Sequence, residues 1–394
     1  MQKENKACKA IIPATRVGSV QEYYFSKKLK EVAEMNAAGK NVINLGVGSP
    51  DLPPSEKTVE TLCRQAHQPN NHGYQPYIGI PELRRAFADW YTRWYEVNLD
   101  PASDILPLIG SKEGILHISM AFLNPDDGVL VPNPGYPTYT SVSKLVGARI
   151  VSYDLNEENG WMPDFEALDK MDLSEVKLMW VNYPNMPTGA NASQELFEKL
   201  VDFGRRHQIV ICNDNPYSFI LNDKPLSILS IPGAKEICIE LNSLSKSHNM
   251  PGWRIAMLAS NPQFVEWILK VKSNIDSGQF KPMQLAAVEA LQAPAEWYEN
   301  MNAVYRKRRT FAEKIMEQLD CHFDADQVGL FVWGRVPDHI ESAVALADRI
   351  LYEANVFITP GIIFGSQGER YLRISLCCRE EVLEEALERI RAIY

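Results

Sequence analysis

The segment Ser243-Leu244-Ser245-Lys246-Ser247-His248-Asn249-Met250-Pro251-Gly252-Trp253-Arg254 sets one lysine among hydroxyls and one arginine eight residues later. A lysine amine that condenses with an aldehyde must reach it and shed its proton. A phosphate on the same molecule needs hydroxyl donors and a planar, permanently charged fork. Pyridoxal 5′-phosphate is the common metabolite that combines an aldehyde with a phosphate. Apolar runs over 237–241 and 254–259 flank the segment, which puts Lys246 on a loop at a strand end. A solvated lysine beside a salt-bridging arginine is the plainer alternative.

Other residues have types and spacings that suit the same chemistry. Gly110-Ser111-Lys112 delivers a strand into a helix N-terminus, where free N–H groups and the helix dipole attract anions, although the same residues serve as ordinary caps. In Pro132-Asn133-Pro134-Gly135-Tyr136-Pro137 the prolines and glycine fix a corner from which Tyr136 projects, to cover a ring or simply to pack. Asp214 ends an apolar run with Tyr217 three residues on, and a carboxylate there can keep a pyridine nitrogen protonated or merely cap a turn. In Tyr371-Leu372-Arg373-Ile374-Ser375-Leu376, alternation separates Arg373 from the aliphatic face. A half-buried arginine there could grip a carboxylate in two places or form an interior salt bridge.

Together these strings resemble the fold type I aminotransferases, of class I/II, whose lysine motif reads much like SLSKSHNMPGWR. The resemblance runs from about Asn41 to Cys378. It implies that Lys246 forms the Schiff base with pyridoxal phosphate and then moves the substrate proton, and that Ser111, Lys112, Ser243 and Arg254 hold the phosphate. It implies further that Tyr136 stacks on the ring, Asp214 faces the ring nitrogen, and Tyr217 donates to the phenolic oxygen. Arg373 and Gly48, the latter in Asn44-Leu45-Gly46-Val47-Gly48, would receive the substrate α-carboxylate. Tyr74 in Gly73-Tyr74-Gln75-Pro76-Tyr77-Ile78-Gly79 would reach the phosphate of a neighbouring subunit, which implies a homodimer with shared active sites. The longer strings NHGYQPYIGIPELR, LPLIGSKEGILHISMAFLNP and VPNPGYPTY are similar to a branch that contains LL-diaminopimelate, aspartate, alanine and methionine aminotransferases.

One position departs from the pattern. Asn182-Tyr183-Pro184-Asn185-Met186-Pro187-Thr188-Gly189 is similar to N-Y-P-x-N-P-T-G, but Met186 stands where the family has an asparagine that donates to the cofactor. A thioether donates nothing. Asn185 is the remaining amide for that role, although a one-residue offset ordinarily points a side chain elsewhere. The reaction expected is transfer of an amino group between an L-amino acid and a 2-oxo acid. A carbon–sulfur lyase, using the same cofactor, and a non-enzymatic effector-sensing regulator are the alternatives. No metal is expected.

Composition agrees with such an enzyme. A chain of 394 residues with 45% hydrophobic and 23% charged residues can bury a large core and exceeds the usual size of one domain. Its formal charge of −10 argues against nucleic acid, and the basic run at 306–309 falls within a helical pattern, where a solvated face is expected. The seven cysteines, including Cys8 and the vicinal Cys377 and Cys378, are scattered without a C-x-x-C pair, which suits a reducing compartment. No apolar run approaches the roughly 18 residues of a membrane span, and residues 1–10 lack a signal-like apolar core, so a cytoplasmic location is expected.

The elements that must position these residues follow from periodicity. Short apolar runs over 105–109, 128–131, 149–153, 177–181, 209–213, 236–241 and 254–259 alternate with helical patterns over 81–97, 112–123 and 193–207. That alternation predicts an α/β fold with a large, mainly parallel seven-stranded sheet. After about residue 276, long helices over 294–319, 341–354 and 379–393 accompany strands over 329–334 and 371–376. The expected division is a cofactor-binding domain over 53–276 and a smaller α+β domain made of 1–52 and 277–394.

Overall fold

The computed structural model describes residues 11–19 and 24–394. Strand β1 (Ile43–Asn44) lies outside the main sheet, which is built from β2 (Ile105–Leu108), β3 (Gly128–Asn133), β4 (Arg149–Asp154), β5 (Val176–Val181), β6 (Val210–Asp214), β7 (Cys238–Ser243) and β8 (Ala256–Ala259). Their order across the sheet is β2-β8-β7-β6-β5-β3-β4, with β8 antiparallel to both neighbours and the other pairings parallel. Parallel strands are covered on both faces, so they read as continuous apolar runs. Successive residues accordingly enter opposite cores: Val129, Val131, Leu178 and Trp180 pack on one face, and Leu130, Met179 and Val181 on the other. The edge strand β4 is the exception, with Arg149 and Asp154 exposed, as edges that must not recruit another strand usually are.

Most strand boundaries shift by one or two residues from the sequence-based expectation, and two of the shifts bear on the site. The strand expected from residue 254 begins at Ala256, because Arg254 has φ +55°, a left-handed conformation that no strand accommodates. The strand expected over 236–241 runs to Ser243, so this residue reaches the same carboxyl edge as Asp214. In open α/β sheets ligands bind beyond that edge.

A four-stranded antiparallel sheet follows, built from β9 (His322–Phe323), β10 (Phe331–Arg335), β12 (Thr359–Pro360) and β13 (Tyr371–Ser375), in the order β12-β13-β10-β9. Between them β11 (Val356–Phe357) pairs in parallel with β1. The Ser375 amide donates to Leu45 O and the Ser375 hydroxyl to Val47 O, which ties residues 45–48 against β13. Helix Ala295–Gln318 carries the basic run, and there the expectation of a solvated face is wrong for half of it. Arg306 and Lys307 are exposed, but Arg308 is buried and pairs with Asp51 through two bonds of 2.6 and 2.9 Å, while Arg309 bonds Glu313 and Gln327 O. Among the described residues no helix is long and apolar enough to cross a membrane. The six described cysteines are free thiols, with Cys212 and Cys238 in the core, and Cys8 lies outside the described residues.

Candidate active site

A cavity of about 510 Å³ opens at the carboxyl edge of the main sheet. Lys246 lies on its wall, carried by a short helical turn, Leu244–Ser247, rather than the expected loop. Ser243 caps that turn: its hydroxyl accepts from Ser245 N at 3.1 Å. The Lys246 amine donates to Gly48 O. Burial pushes its pKa below the ordinary lysine value, and the charges of Arg373 and Arg254 act in the same direction. A neutral amine is what nucleophilic attack and proton abstraction require.

Ser111 and Arg254 line the cavity, with Gly110 packed against the arginine. Helix Ser111–Phe122 starts after Gly110, and among the described residues no side chain caps its first turn and the buried Ser111 hydroxyl has no partner. Gly110 has φ +84°, and a Cβ there would lie 1.9 Å from Arg254 Nη2. Only glycine lets the guanidinium lie across the helix start. Lys112, Ser243 and Ser245 line the same cavity. Hydroxyls, free helix N–H groups and a guanidinium converge as a phosphate cradle does.

Asp214, on the tip of β6, accepts from the Tyr139 hydroxyl at 3.0 Å through Oδ2, while its buried Oδ1 has no partner among the described residues. Burial raises its pKa from 3.8 to about 7, against the Tyr139 bond and the positive charge of Lys246. Sequence reasoning missed Tyr139, which lies three residues beyond Tyr136 and whose ring stacks on Trp180 at 5.1 Å. Tyr136 stands edge-on to Tyr139 and Tyr217 edge-on to Phe331, and both line the cavity.

Arg373 is buried at 6% exposure rather than half-buried, because its guanidinium is held between Phe331 and Phe364, 3.9 and 4.5 Å from the ring centroids. One arm donates to Gly46 O at 2.8 Å and the other to the Met186 sulfur at 3.2 Å, while Nε has no partner among the described residues. Among the described residues no carboxylate pairs with it, and burial lowers its pKa to about 10. An unpaired cation this deep is costly unless a ligand supplies the anion. Gly48 also has a steric reason: a Cβ there would meet Phe331 at 2.3 Å.

Two expected residues do not line this chain's own cavity. Asn185 is not among the residues lining the cavity, whereas Met186 is; its side-chain carbonyl oxygen accepts from Thr188 in a tight turn, and its buried Nδ2 has no partner among the described residues. Tyr74 is 94% exposed and away from its own chain's cavity. A separate cluster of Glu113, His117 and Asp276 has ligand atoms within 4.8 Å of one another, but Lys272 already provides Asp276 with a cation at 2.7 Å.

A buried amine, a carboxylate with a free oxygen and an arginine awaiting an anion, at the carboxyl edge of a seven-stranded sheet, define an enzyme that works on amino acids. Residues 40–390 match the model of the family Aminotransferase class I and II. The chain belongs to that family, and it is an aminotransferase, moving an amino group between an amino acid and a 2-oxo acid. It is 40% identical over 377 residues to an LL-diaminopimelate aminotransferase of Dehalococcoides mccartyi, covering 95% of this chain and 97% of that one. An LL-diaminopimelate aminotransferase of Oleidesulfovibrio alaskensis is 41% identical over 383 residues, covering 96% and 98%. Among solved structures, substrate-bound BacF from Bacillus subtilis superposes with a TM-score of 0.92 at 34% identity, covering 98% of both chains. A Thermus thermophilus aspartate aminotransferase mutant gives 0.91 at 26% identity, covering 98% and 100%. These comparisons favour amino transfer over the lyase and regulator alternatives.

Proposed function

We propose that the enzyme works through pyridoxal 5′-phosphate bonded to Lys246, with Asp214 facing the ring nitrogen. The observation that carries this reading is Asp214 Oδ1, a buried carboxylate oxygen without a partner among the described residues, on the same cavity as the buried amine of Lys246. A protonated ring nitrogen would supply the missing donor and the charge that ionises Asp214. When bound, the cofactor supplies an electron sink for the bonds at the substrate Cα.

The chain's own residues perform the remaining work. Ser111, Lys112, Ser243 and Arg254 hold the phosphate, Tyr136 covers the ring, and Tyr217 donates to the phenolic oxygen. Arg373, beside Gly48, takes the α-carboxylate and so aims the Cα proton at Lys246, whose low pKa leaves it ready to accept. Asn185, whose side-chain carbonyl accepts from Thr188, keeps a buried Nδ2 without a partner among the described residues, and this is the donor it would offer the cofactor.

We propose a homodimer in which Tyr74, projecting from its own subunit, completes the partner's phosphate site. The domain division proposed is 53–276 for cofactor binding and 1–52 with 277–394 for the smaller unit. Helix Lys281–Leu291, packed on helices Glu56–Ala66 and Pro81–Tyr95, connects them. Free, scattered thiols favour a reducing, cytoplasmic setting, and relatives named LL-diaminopimelate aminotransferases place the reaction in amino-acid biosynthesis.

Borohydride reduction of the purified protein followed by peptide mapping should find the cofactor on Lys246. Lys246→Ala should abolish transfer while leaving a folded protein that still binds the cofactor without a covalent bond. Near-normal transfer by that variant, or a label on another lysine, would remove Lys246 from the mechanism.

A further inference from the structure

We infer that Ser375 and the Asp51–Arg308 ion pair are positioning residues for amino transfer: they set the register of residues 45–48, whose carbonyls hold both groups that handle the substrate, Arg373 and Lys246. The inference rests on the roles proposed above for those two cations. Four successive carbonyls lead to it. Leu45 O accepts from the Ser375 amide and Val47 O from the Ser375 hydroxyl, each at 2.8 Å. Gly46 O accepts from the Arg373 guanidinium at 2.8 Å, and Gly48 O from the Lys246 amine. Alternate carbonyls therefore have different tasks, one pair tying the segment to β13 and the other presented to the cations. A slip of one residue would exchange the two pairs, so the function depends on the register.

Ser375 lies two residues beyond Arg373 on β13, which puts both side chains on one face of the strand. Its buried hydroxyl also accepts from the Cys377 amide at 3.1 Å, so its rotamer is fixed from two sides. Gly46 and Gly48 let the segment approach this closely, since a Cβ would meet Phe357 at 2.5 Å at the first and Phe331 at 2.3 Å at the second. At the far end Asp51 accepts two bonds from the buried Arg308, which also donates to the carbonyl of Leu376, the residue after Ser375, at 3.1 Å. A pair with one partner taken out of water is weak as a source of stability, but a forked, two-bond contact fixes direction. Ser375, Asp51 and Arg308 stand behind the cavity wall rather than on it, and they hold residues 45–51 from neighbouring points at the end of one strand. Loosening that hold withdraws Gly46 O from Arg373 and Gly48 O from Lys246 together. The Gly48 bond supports the charged form of an amine whose pKa burial lowers, an effect that Arg373 and Arg254 reinforce and Cys377 and Asp214 oppose.

The test compares the parent with Ser375→Ala and Asp51→Asn, which reach the segment from its two ends, and with Ser375→Thr, which keeps the hydroxyl. In the loaded enzyme, KM for the amino acid that the parent uses best should rise about tenfold in Ser375→Ala and Asp51→Asn. Cofactor affinity should stay within about threefold of the parent, because the phosphate and ring contacts lie at the other end of the cavity. In the cofactor-free proteins, acetylation of Lys246 across a range of pH, read by peptide mapping, gives the pKa of its amine. That value should fall by about one unit in both variants, as the charged form loses an acceptor, and Ser375→Thr should restore both readouts. Parent values of KM and pKa in folded Ser375→Ala and Asp51→Asn overturn the inference, and so does movement of only one of the two. Failure of a folded Ser375→Thr to restore them removes the hydroxyl from the argument and overturns it as well. If Ser375→Ala does not fold, Asp51→Asn decides by the same two measurements. If no amino acid donates to the parent, the proposed function falls, while the labelling still decides whether this segment holds Lys246.

Discussion

Asp214→Asn should make the cofactor-free protein more stable above neutral pH while removing most of its activity. The carboxyl is raised from 3.8 to about 7 by burial, a shift of roughly three units, or about 4 kcal/mol. The sign follows from which state binds the proton more tightly. With its folded pKa above its unfolded one, Asp214 costs nothing below about pH 4. Its ionisation then lowers stability progressively as pH rises to about 7, and the loss levels off beyond that. Asparagine has the same shape, can still accept from Tyr139 through its oxygen, and carries no charge to desolvate. Between pH 5 and 8.5 the parent should therefore lose about 3 kcal/mol that the variant keeps. The assay is urea unfolding of both proteins, stripped of cofactor, at the two pH values. Midpoints are compared because a chain of this length need not unfold in two states. The loaded variant should show kcat lower by about 100-fold or more, since the charge that stabilises a protonated ring is gone. Parallel pH curves for the two proteins would refute burial as the source of the shift, and an unchanged kcat would show that another group tunes the ring.

Arg373→Lys exchanges a planar fork between two rings for a point charge, and should raise KM for every donor by about 10- to 100-fold. An effect on one donor alone would make Arg373 a side-chain reader. Gly110→Ala combines a strained φ of +84° with a contact at 1.9 Å to Arg254, so cofactor affinity in a titration should fall at least about tenfold. Unchanged affinity would mean that Arg254 does not hold the phosphate. Met186→Asn restores an amide whose oxygen can take the Arg373 bond now made to sulfur and whose NH₂ can donate into the cavity. In a spectrophotometric pH titration of the loaded enzyme without substrate, the transition should move down by about one to two units. Superimposable curves would make Met186 a packing residue only.

Most of the fold was legible because strand and helix periodicity are local properties. Ser193, whose side chain accepts from Leu196 N, and Pro81, at the first turn of its helix, announce their helices directly. Helix Pro262–Lys272 carries a similar signal, an asparagine cap followed by proline, yet it escaped notice among longer patterns. Arg308 was misplaced for a related reason. A run of four basic residues reads as a solvated face until Asp51, 257 positions away in the chain, is brought against one of them.

The sequence by itself determined the chemistry in short strings: the Lys246 to Arg254 segment, the Gly110 helix start, Asp214 with Tyr217 and the strand carrying Arg373. Their types and spacing are set by bonds and turns within a few residues. Tertiary structure alone decided what surrounds them. The Tyr139 bond to Asp214, the Phe331 ring on Arg373, the Met186 sulfur on its second arm, and Tyr24 and Phe25 on the cavity wall join residues dozens to hundreds apart. No periodicity encodes such meetings, because they depend on the order in which strands enter the sheet and on which loops end at the same carboxyl edge. The reaction class could be read from local strings, whereas the shape and charge of the pocket that selects the substrate exist only once the chain has folded.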